Sequence, residues 1–170
     1  MRKLLLPVIF LNSILNLQAQ TMKQDGKLSD ELSAFFVENW TGNGEFANGK
    51  KISADITFKF SLDSVWLISE HADQSPNRYK AFSIWGIDRS TGHFVAYIFD
   101  NSRGHRQFVS DGWKEGILIL TTNQFYPQTG LQFQHFIYEK LTEKSFKMTY
   151  ETSKDGIIWK SGDYLVFNKL

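Results

Sequence analysis

Strict alternation of apolar and polar residues is the feature that most constrains how this chain can fold. In "ISADITFKFSL", every second residue from Ile52 to Leu62 is apolar and the residues between them are polar. The stretch "SFKMTYETS" (145–153) repeats the pattern with Phe146, Met148 and Tyr150. A period of two places alternate side chains on opposite faces of a strand. The pattern therefore predicts antiparallel sheet with one face on a core and the other in water.

Short turn signals rich in Gly, Asn, Asp and Ser interrupt the alternating stretches at regular intervals. About nine such signals separate about ten strands. Before them, "LSDELSAFFVEN" has helical spacing, with Ser29 as N-cap. We predict an all-β fold, an antiparallel up-and-down β-barrel of about ten strands (calycin/lipocalin-like) with one short N-terminal helix. A β-sandwich is the alternative.

The N-terminus has the pattern of a secretory signal peptide. Arg2 and Lys3 precede an apolar run from Leu4 to Leu17, and small Ala19 offers a cleavage point. No cysteine follows the run, so a lipid anchor on an N-terminal cysteine is not expected. We predict a signal peptide over 1–19, a polar lead-in over 20–27 and one barrel domain over 28–170. The protein is expected to be exported, either periplasmic or secreted.

Charge and cysteine content exclude several classes of function. Removal of 1–19 takes away two of the 19 Lys and Arg residues and none of the 18 Asp and Glu residues, leaving a net charge of −1. A near-neutral chain gives no support for a nucleic-acid partner. With no cysteine, the protein has no disulfide, thiolate zinc site or thiol nucleophile.

Hairpin pairings predict which side chains point into the barrel. A two-residue turn at Asp63-Ser64 pairs Ile56 with His71, and directly opposed residues share a face. Pairing Leu141 with Phe146 would turn Glu139 and His135 inward, and the next turn would set Trp159 opposite Tyr150. The residues expected to line a ligand site are Trp40, Phe58, His71, His135, Glu139, Tyr150 and Trp159. The alternative is that the polar members only hydrogen-bond to neighbours and tie the barrel together.

The middle strands and nearby turns have a less regular pattern. "YKAFSIWGID" and "HFVAYIFD" carry large apolar residues on both faces. We expect the N-terminal helix to cover their outer face; an exposed patch for a partner is the alternative. Arg103 and Arg106, in "RGHRQF", are expected to be solvated turn charges.

Motifs for nucleotide, hydrolytic and metal chemistry are absent or weak. Gly42-x-Gly44 is followed by a strand pattern, whereas a phosphate loop must lead into a helix. No Gly-x-Ser-x-Gly elbow is present. Two of the four separated histidines with Glu139 could hold a metal, or one lumen histidine a haem, but neither is required. We therefore expect no catalytic residues, no metal site and no enzyme activity.

Three stretches of the chain resemble a known family. "FFVENWTGNGEFANGKK", "FKFSLDSVWLISEHAD" and "SIWGIDRSTGHFVAYIFDNSRG" resemble the bacterial DUF1579 proteins, a lipocalin-like (calycin) group without an assigned function. The resemblance spans roughly 30–168, although Asp63-Ser64 stands where the family often has Gly-Gly. It implies a barrel with a lumen, a helix near one end and Trp40 at the floor. Related barrels bind fatty acids, retinoids or haem.

The sequence thus supports three hypotheses about function. The first is an exported barrel that binds a small apolar or amphipathic ligand in its lumen. The second is a structural or interaction barrel with a filled lumen and a protein partner. The third is an enzyme that uses the predicted His/Glu group. Neither the ligand nor the oligomeric state follows from the sequence.

Overall fold

A computed structural model describes residues 26–170 of the chain. The predicted signal peptide and most of the polar lead-in lie outside the described residues. One helix, α1 (Asp30–Phe36), precedes the sheet. The ten strands are β1 (Asn39–Phe46), β2 (Lys51–Ser61), β3 (Trp66–Asp73), β4 (Lys80–Ile87), β5 (Phe94–Asp100), β6 (His105–Ser110), β7 (Ile117–Tyr126), β8 (Gly130–Thr142), β9 (Ser145–Ser153) and β10 (Trp159–Lys169).

The strands form a closed antiparallel barrel. Each strand pairs with its neighbours in the sequence, and β1 pairs with β10 to close the wall. The predicted up-and-down barrel is confirmed, and the sandwich alternative is excluded. Strand pairing is sparsest between β6 and β7, where Val109↔Thr121 is the single pair in register.

Helix α1 closes one end of the barrel. Its N-cap, Ser29, accepts a hydrogen bond from the Leu32 backbone N–H, as the sequence predicts. Phe36 is fully buried, and its ring centroid lies 5.0 Å from that of Phe58 and 5.5 Å from that of Trp85. The helix therefore packs against inward-facing residues of the barrel. In the described part of the chain, no helix is long and apolar enough to cross a membrane.

The expectation that this helix covers the outer face of the middle strands is wrong. Helix α1 is amphipathic and has three buried apolar residues. At the end of the barrel these residues pack against the inward-facing core, and on the outer wall they would not. The outer face keeps exposed apolar side chains on four neighbouring strands: Phe82, Phe99, Val109, Ile117 and Ile119.

Strand β1 lines the helix-closed end. Trp40 is buried, and its indole Nε1 donates a hydrogen bond to the Phe36 carbonyl over 2.9 Å. A Cβ at Gly42 would lie 2.6 Å from the Phe167 ring, so Phe167 fills the space inside the strand there. Gly44 touches the backbone of β10 at Tyr164. These glycines permit close packing against β10.

The register of the first long hairpin agrees with the sequence prediction. Phe60 pairs with Leu67, Phe58 with Ser69 and Ile56 with His71. The turn keeps two central residues, Asp63 and Ser64, both with positive φ. His71 therefore faces inward, as expected.

The two registers predicted around β9 are both wrong, and a bulge explains the first of them. Between Lys140 and Thr142 the β8–β9 register shifts, so Lys140, and not Leu141, pairs with Phe146. A second shift, between Ser161 and Asp163, places Asp163 opposite Tyr150. Trp159 instead pairs with Ser153. A one-residue shift turns every later side chain of the strand to the other face.

Candidate functional site

A cavity of about 370 Å³ occupies the half of the barrel farther from α1. It reaches the end formed by the loops after β1, β3 and β5, since Phe46, Tyr79 and Ser102 line it there. The apolar lining residues are Phe46, Ile52, Ile56, Ala81, Ile98, Phe136, Met148 and Leu165. The polar ones are Ser69, His71, Asp73, Tyr79, Ser83, Asp100, Ser102, Arg106, Tyr138, Tyr150 and Asp163.

The two halves of the cavity differ in polarity. Toward the packed floor, Ile56, Ile98 and Leu165 form an apolar wall. The hydroxyls of Ser69 and Ser83 lie in this region but hydrogen-bond to each other over 2.5 Å, which satisfies both. The charged groups lie toward the open end, on the last residues of β3 and β5 and the first of β6. The cavity is therefore less polar toward the floor and charged toward the opening, and the two parts adjoin, since Ile56 pairs with His71 and Ile98 with Arg106.

Arg106 is the cationic group at the charged end. Its side chain is only 13% exposed, and one terminal nitrogen lies 3.2 Å from an Asp100 carboxylate oxygen. The guanidinium also donates to Gln134 Oε1 over 3.0 Å and to the Tyr79 hydroxyl over 3.4 Å. Burial opposes ionisation of Asp100, but donors from Ser102 and Gly104 and the Arg106 charge outweigh it and lower its pKa.

A second group of ionisable side chains faces Arg106 across the cavity. His71 Nε2 lies 2.9 Å from an Asp73 carboxylate oxygen, and both side chains are nearly buried. Asp163, on β10, is close enough to Asp73 for the two charges to interact. Burial, followed by repulsion from Asp73, raises the Asp163 pKa to about 6, although His71 partly opposes the shift.

Tyrosine hydroxyls complete the polar surface. Burial raises the pKa of Tyr79, Tyr138 and Tyr150, so all three are neutral phenols at physiological pH. Tyr138 is 5% exposed and lines the cavity. Within residues 26–170, the hydroxyls of Tyr138 and Tyr150 have no hydrogen-bond partner. Both residues line the cavity, so water or a ligand there can hydrogen-bond to their hydroxyls.

Four of the seven residues predicted to line a ligand site do face the barrel interior. His71 and Tyr150 line the cavity. Trp40 and Phe58 belong instead to the packed floor: the Trp40 ring lies 4.9 Å from Phe146, and the Phe58 ring 5.1 Å from Trp85. They support the site from below without forming its wall.

The other three, His135, Glu139 and Trp159, lie on the outer face, so their predicted inward orientation is wrong. His135 stacks on Trp159 with ring centroids 3.4 Å apart, and burial beneath this stack lowers the His135 pKa, partly opposed by Glu151. Glu139 pairs across the strands with Lys147. The predicted grouping of His71, His135 and Glu139 therefore does not form. Among residues 26–170, no three His, Asp or Glu side chains are placed to hold a metal ion.

Sequence reasoning missed Arg106, Asp73, Tyr79 and Asp163. The Arg106 side chain is largely removed from solvent, so the expectation of a solvated turn charge is wrong for this residue. A signal for it exists: Phe108 lies two residues later and is fully buried, so Arg106 must point the same way along β6. Asp73 lies two residues after His71 on β3, so it points to the same face of the strand. Asp163 has the same signal, since Leu165 lies two residues later on β10 and is fully buried; the bulge lies between Ser161 and Asp163 and interrupts the alternation only before it.

This arrangement suits binding. Charge and hydroxyl groups at one end would hold the polar part of a small molecule, and the aliphatic wall at the other would hold an apolar part.

Comparisons with known proteins identify no family for this chain. No family model and no curated protein match the chain, so the resemblance to DUF1579 proteins stays a prediction. One solved structure with a similar fold, a redesigned β-barrel, is 11% identical with a TM-score of 0.39, over 81% of this chain and 94% of that one. A similarity at this level says nothing about what the present chain binds.

Proposed function

We propose that this protein binds a small amphipathic molecule in the lumen of its barrel. One observation carries the proposal: a cavity of about 370 Å³ with an aliphatic wall at one end and unpartnered polar groups at the other. A barrel whose core served only stability would fill this space, because interiors pack to the density of organic crystals. The volume is within the range of small-molecule sites, which begins at about 300 Å³.

The N-terminal pattern over 1–19 supports export, and we propose that the protein acts outside the cytoplasm. The arrangement in the lumen favours binding over catalysis. Of the three serines that line the cavity, Ser69 and Ser83 bond to each other and Ser102 donates to Asp100, so none bonds to His71.

Filling the cavity tests the proposal directly. Ala81 lines the lumen, so Ala81→Trp would occupy space that an apolar ligand needs. An environment-sensitive apolar dye should bind the wild-type protein with enhanced fluorescence. Its affinity should fall at least about tenfold in Ala81→Trp. A titration of dye fluorescence measures both affinities.

The matched control places the same side chain outside the barrel. Ala72 lies on the adjacent strand, β3, and faces outward opposite Lys80. Ala72→Trp should therefore bind the dye as the wild type does. If both variants lose binding equally, or if neither does, the dye is not in the lumen and the proposal fails.

A second candidate function is contact with a protein partner through the outer wall. The exposed apolar residues of β6 and β7, Val109, Ile117 and Ile119, favour it. The two roles use opposite faces of the same wall and are compatible. The Ala81→Trp variant leaves this outer surface intact.

A further inference from the structure

The charge balance of the lumen distinguishes between classes of amphipathic ligand. Three carboxyl groups line the charged end, those of Asp73, Asp100 and Asp163, against the single guanidinium of Arg106. His71 contributes a positive charge only when it is protonated. With all three carboxyl groups ionised, the site is net negative whether His71 is charged or neutral.

Pairing within the site leaves one carboxylate free. Asp100 bonds to Arg106 and Asp73 to His71. In the described part of the chain, Asp163 has neither a hydrogen-bond nor an ion-pair partner. Its pKa of about 6 reflects burial and the nearby Asp73 charge, so this part of the lumen already disfavours negative charge. A cation placed beside Asp163 would relieve both effects.

Arg106 has little capacity left for an anionic ligand. Three of its five N–H groups donate to Gln134, Tyr79 and Asp100, which leaves the buried Nε–H and one terminal N–H. Asp100 neutralises its charge at 3.2 Å. A ligand carboxylate would gain at most two hydrogen bonds here and would add a fourth negative charge to the lumen.

The remaining unpartnered groups suit a donor. An ammonium group has three N–H donors and no acceptor. The Asp163 carboxylate can accept from it, and so can the hydroxyls of Tyr150, directly opposite Asp163, and of Tyr138. Neutral tyrosine rings also attract a cation through their faces.

We propose that the lumen ligand is an amphipathic amine, whose protonated nitrogen lies at Asp163 and whose apolar tail lies along Ile56, Ile98 and Leu165. This proposal rests on the lumen-binding function above and names its ligand class. Asp163 and the two tyrosines determine the specificity, and Arg106 holds Asp100 in place.

Three probes with the same tail and different head groups test the proposal: octylamine, octanoate and 1-octanol. Titration calorimetry at pH 7.5 measures each affinity. Octylamine should bind at least about tenfold more tightly than 1-octanol, since about 1.4 kcal/mol from one charge-assisted contact gives that factor. Octanoate should bind more weakly than 1-octanol.

Asp163→Asn separates the head-group site from the tail site. The substitution should weaken octylamine binding about tenfold or more and leave 1-octanol binding unchanged. The control is Asp111→Asn, whose carboxylate is exposed on the loop after β6, at the opposite end of the barrel. It should change neither affinity.

The pH dependence in the wild-type protein provides a second test that needs no variant. As pH falls through about 6, Asp163 takes up a proton and octylamine should bind more weakly. The other ionisable groups that face Asp163 are Asp73 and His71 on β3 and Tyr150 on β9. Protonation of Asp73 or His71 would also make the site less attractive to a cation. 1-Octanol binding should not follow this curve.

The outcomes distinguish failure of the ligand class from failure of lumen binding. If octanoate or 1-octanol binds as tightly as octylamine, the amine proposal is overturned and lumen binding stands. If octylamine binds tightly but Asp163→Asn has no effect, the assigned head-group site is wrong. If none of the three probes binds, both proposals fall.

Discussion

The Asp163 carboxyl group is held in a lumen that favours its protonated form, and this has a consequence for stability. Its pKa is raised from the ordinary value of 3.8 to about 6. Between these two pH values the folded state binds more protons than the unfolded state, so the free energy of unfolding decreases as pH rises. Above about pH 6, the folded protein bears the full cost of the ionised group.

Asp163→Asn should remove that cost. At pH 8 we expect the variant to be more stable than the wild type by about 1–2 kcal/mol, the shift being discounted for partial solvent access. At pH 4 the two proteins should be equally stable. Urea unfolding at both pH values measures the difference, with Asp111→Asn as the exposed control. A variant that is less stable at pH 8 would contradict the assignment.

Single residues also show which side-chain orientations the sequence predicts and which it does not. The inward orientation of His71 follows from a tight turn eight residues earlier, and it was predicted correctly. Arg106 was misread because charge near a turn usually means exposure. Its burial depends on Asp100, Tyr79 and Gln134, which belong to three other segments of the chain. The folding of the barrel brings these partners together, and no local pattern contains them.

At the scale of elements, alternation predicts strands well and their pairing less well. β2 has apolar residues on one face only, so a one-residue slip against β3 would turn all of them to solvent, and the register is well specified. β8 has Phe133, His135 and Ile137 on one face and Gln134, Phe136 and Tyr138 on the other. Both faces resemble a core, and the bulge at Leu141 decides which one turns inward. This single residue accounts for the wrong placement of His135 and Glu139.

Closure of the barrel at β1 depends on a close backbone approach at Gly44. A Cβ there would overlap the Tyr164 carbonyl of β10, and backbone cannot move aside as a side chain can. Gly44→Ala should lower the free energy of unfolding by at least about 2 kcal/mol. Thermal and urea unfolding measure it.

The neighbouring Asn43 provides the matched control. Its side chain faces outward and accepts a surface hydrogen bond from Ser53 over 2.7 Å. Asn43→Ala should cost about 0.5 kcal/mol or less. Equal losses in the two variants would show that the cost lies in the alanine substitution itself and not in the contact between β1 and β10.

At the scale of the whole molecule, the barrel has one packed end and one hollow end. The sequence predicts the barrel because turn spacing and alternation are local signals that repeat along the chain. It does not predict the cavity, because its volume depends on how side chains from nine strands and two loops fill the interior together. The aromatic residues brought by α1 complete the packed end, and the open end has no equivalent.

Phe36 shows how much the packed end contributes. Its fully buried ring contacts six other rings, those of Phe35, Phe58, Trp85, Trp113, Tyr138 and Phe146. Phe36→Ala should therefore lower the free energy of unfolding by about 3–5 kcal/mol. Phe36→Leu retains part of the volume and should cost less. Urea unfolding of both variants measures the series.

The control for this series is Phe125, which is 70% exposed at the hollow end. Phe125→Ala should change stability by no more than about 0.5 kcal/mol. If Phe36→Ala were as mild as Phe125→Ala, α1 would not be an integral part of the core, and the packed end would be formed by the strands alone. A graded loss from alanine to leucine would show instead that the helix and the barrel share one core. The lumen floor, through Tyr138, would then depend on the helix for its position.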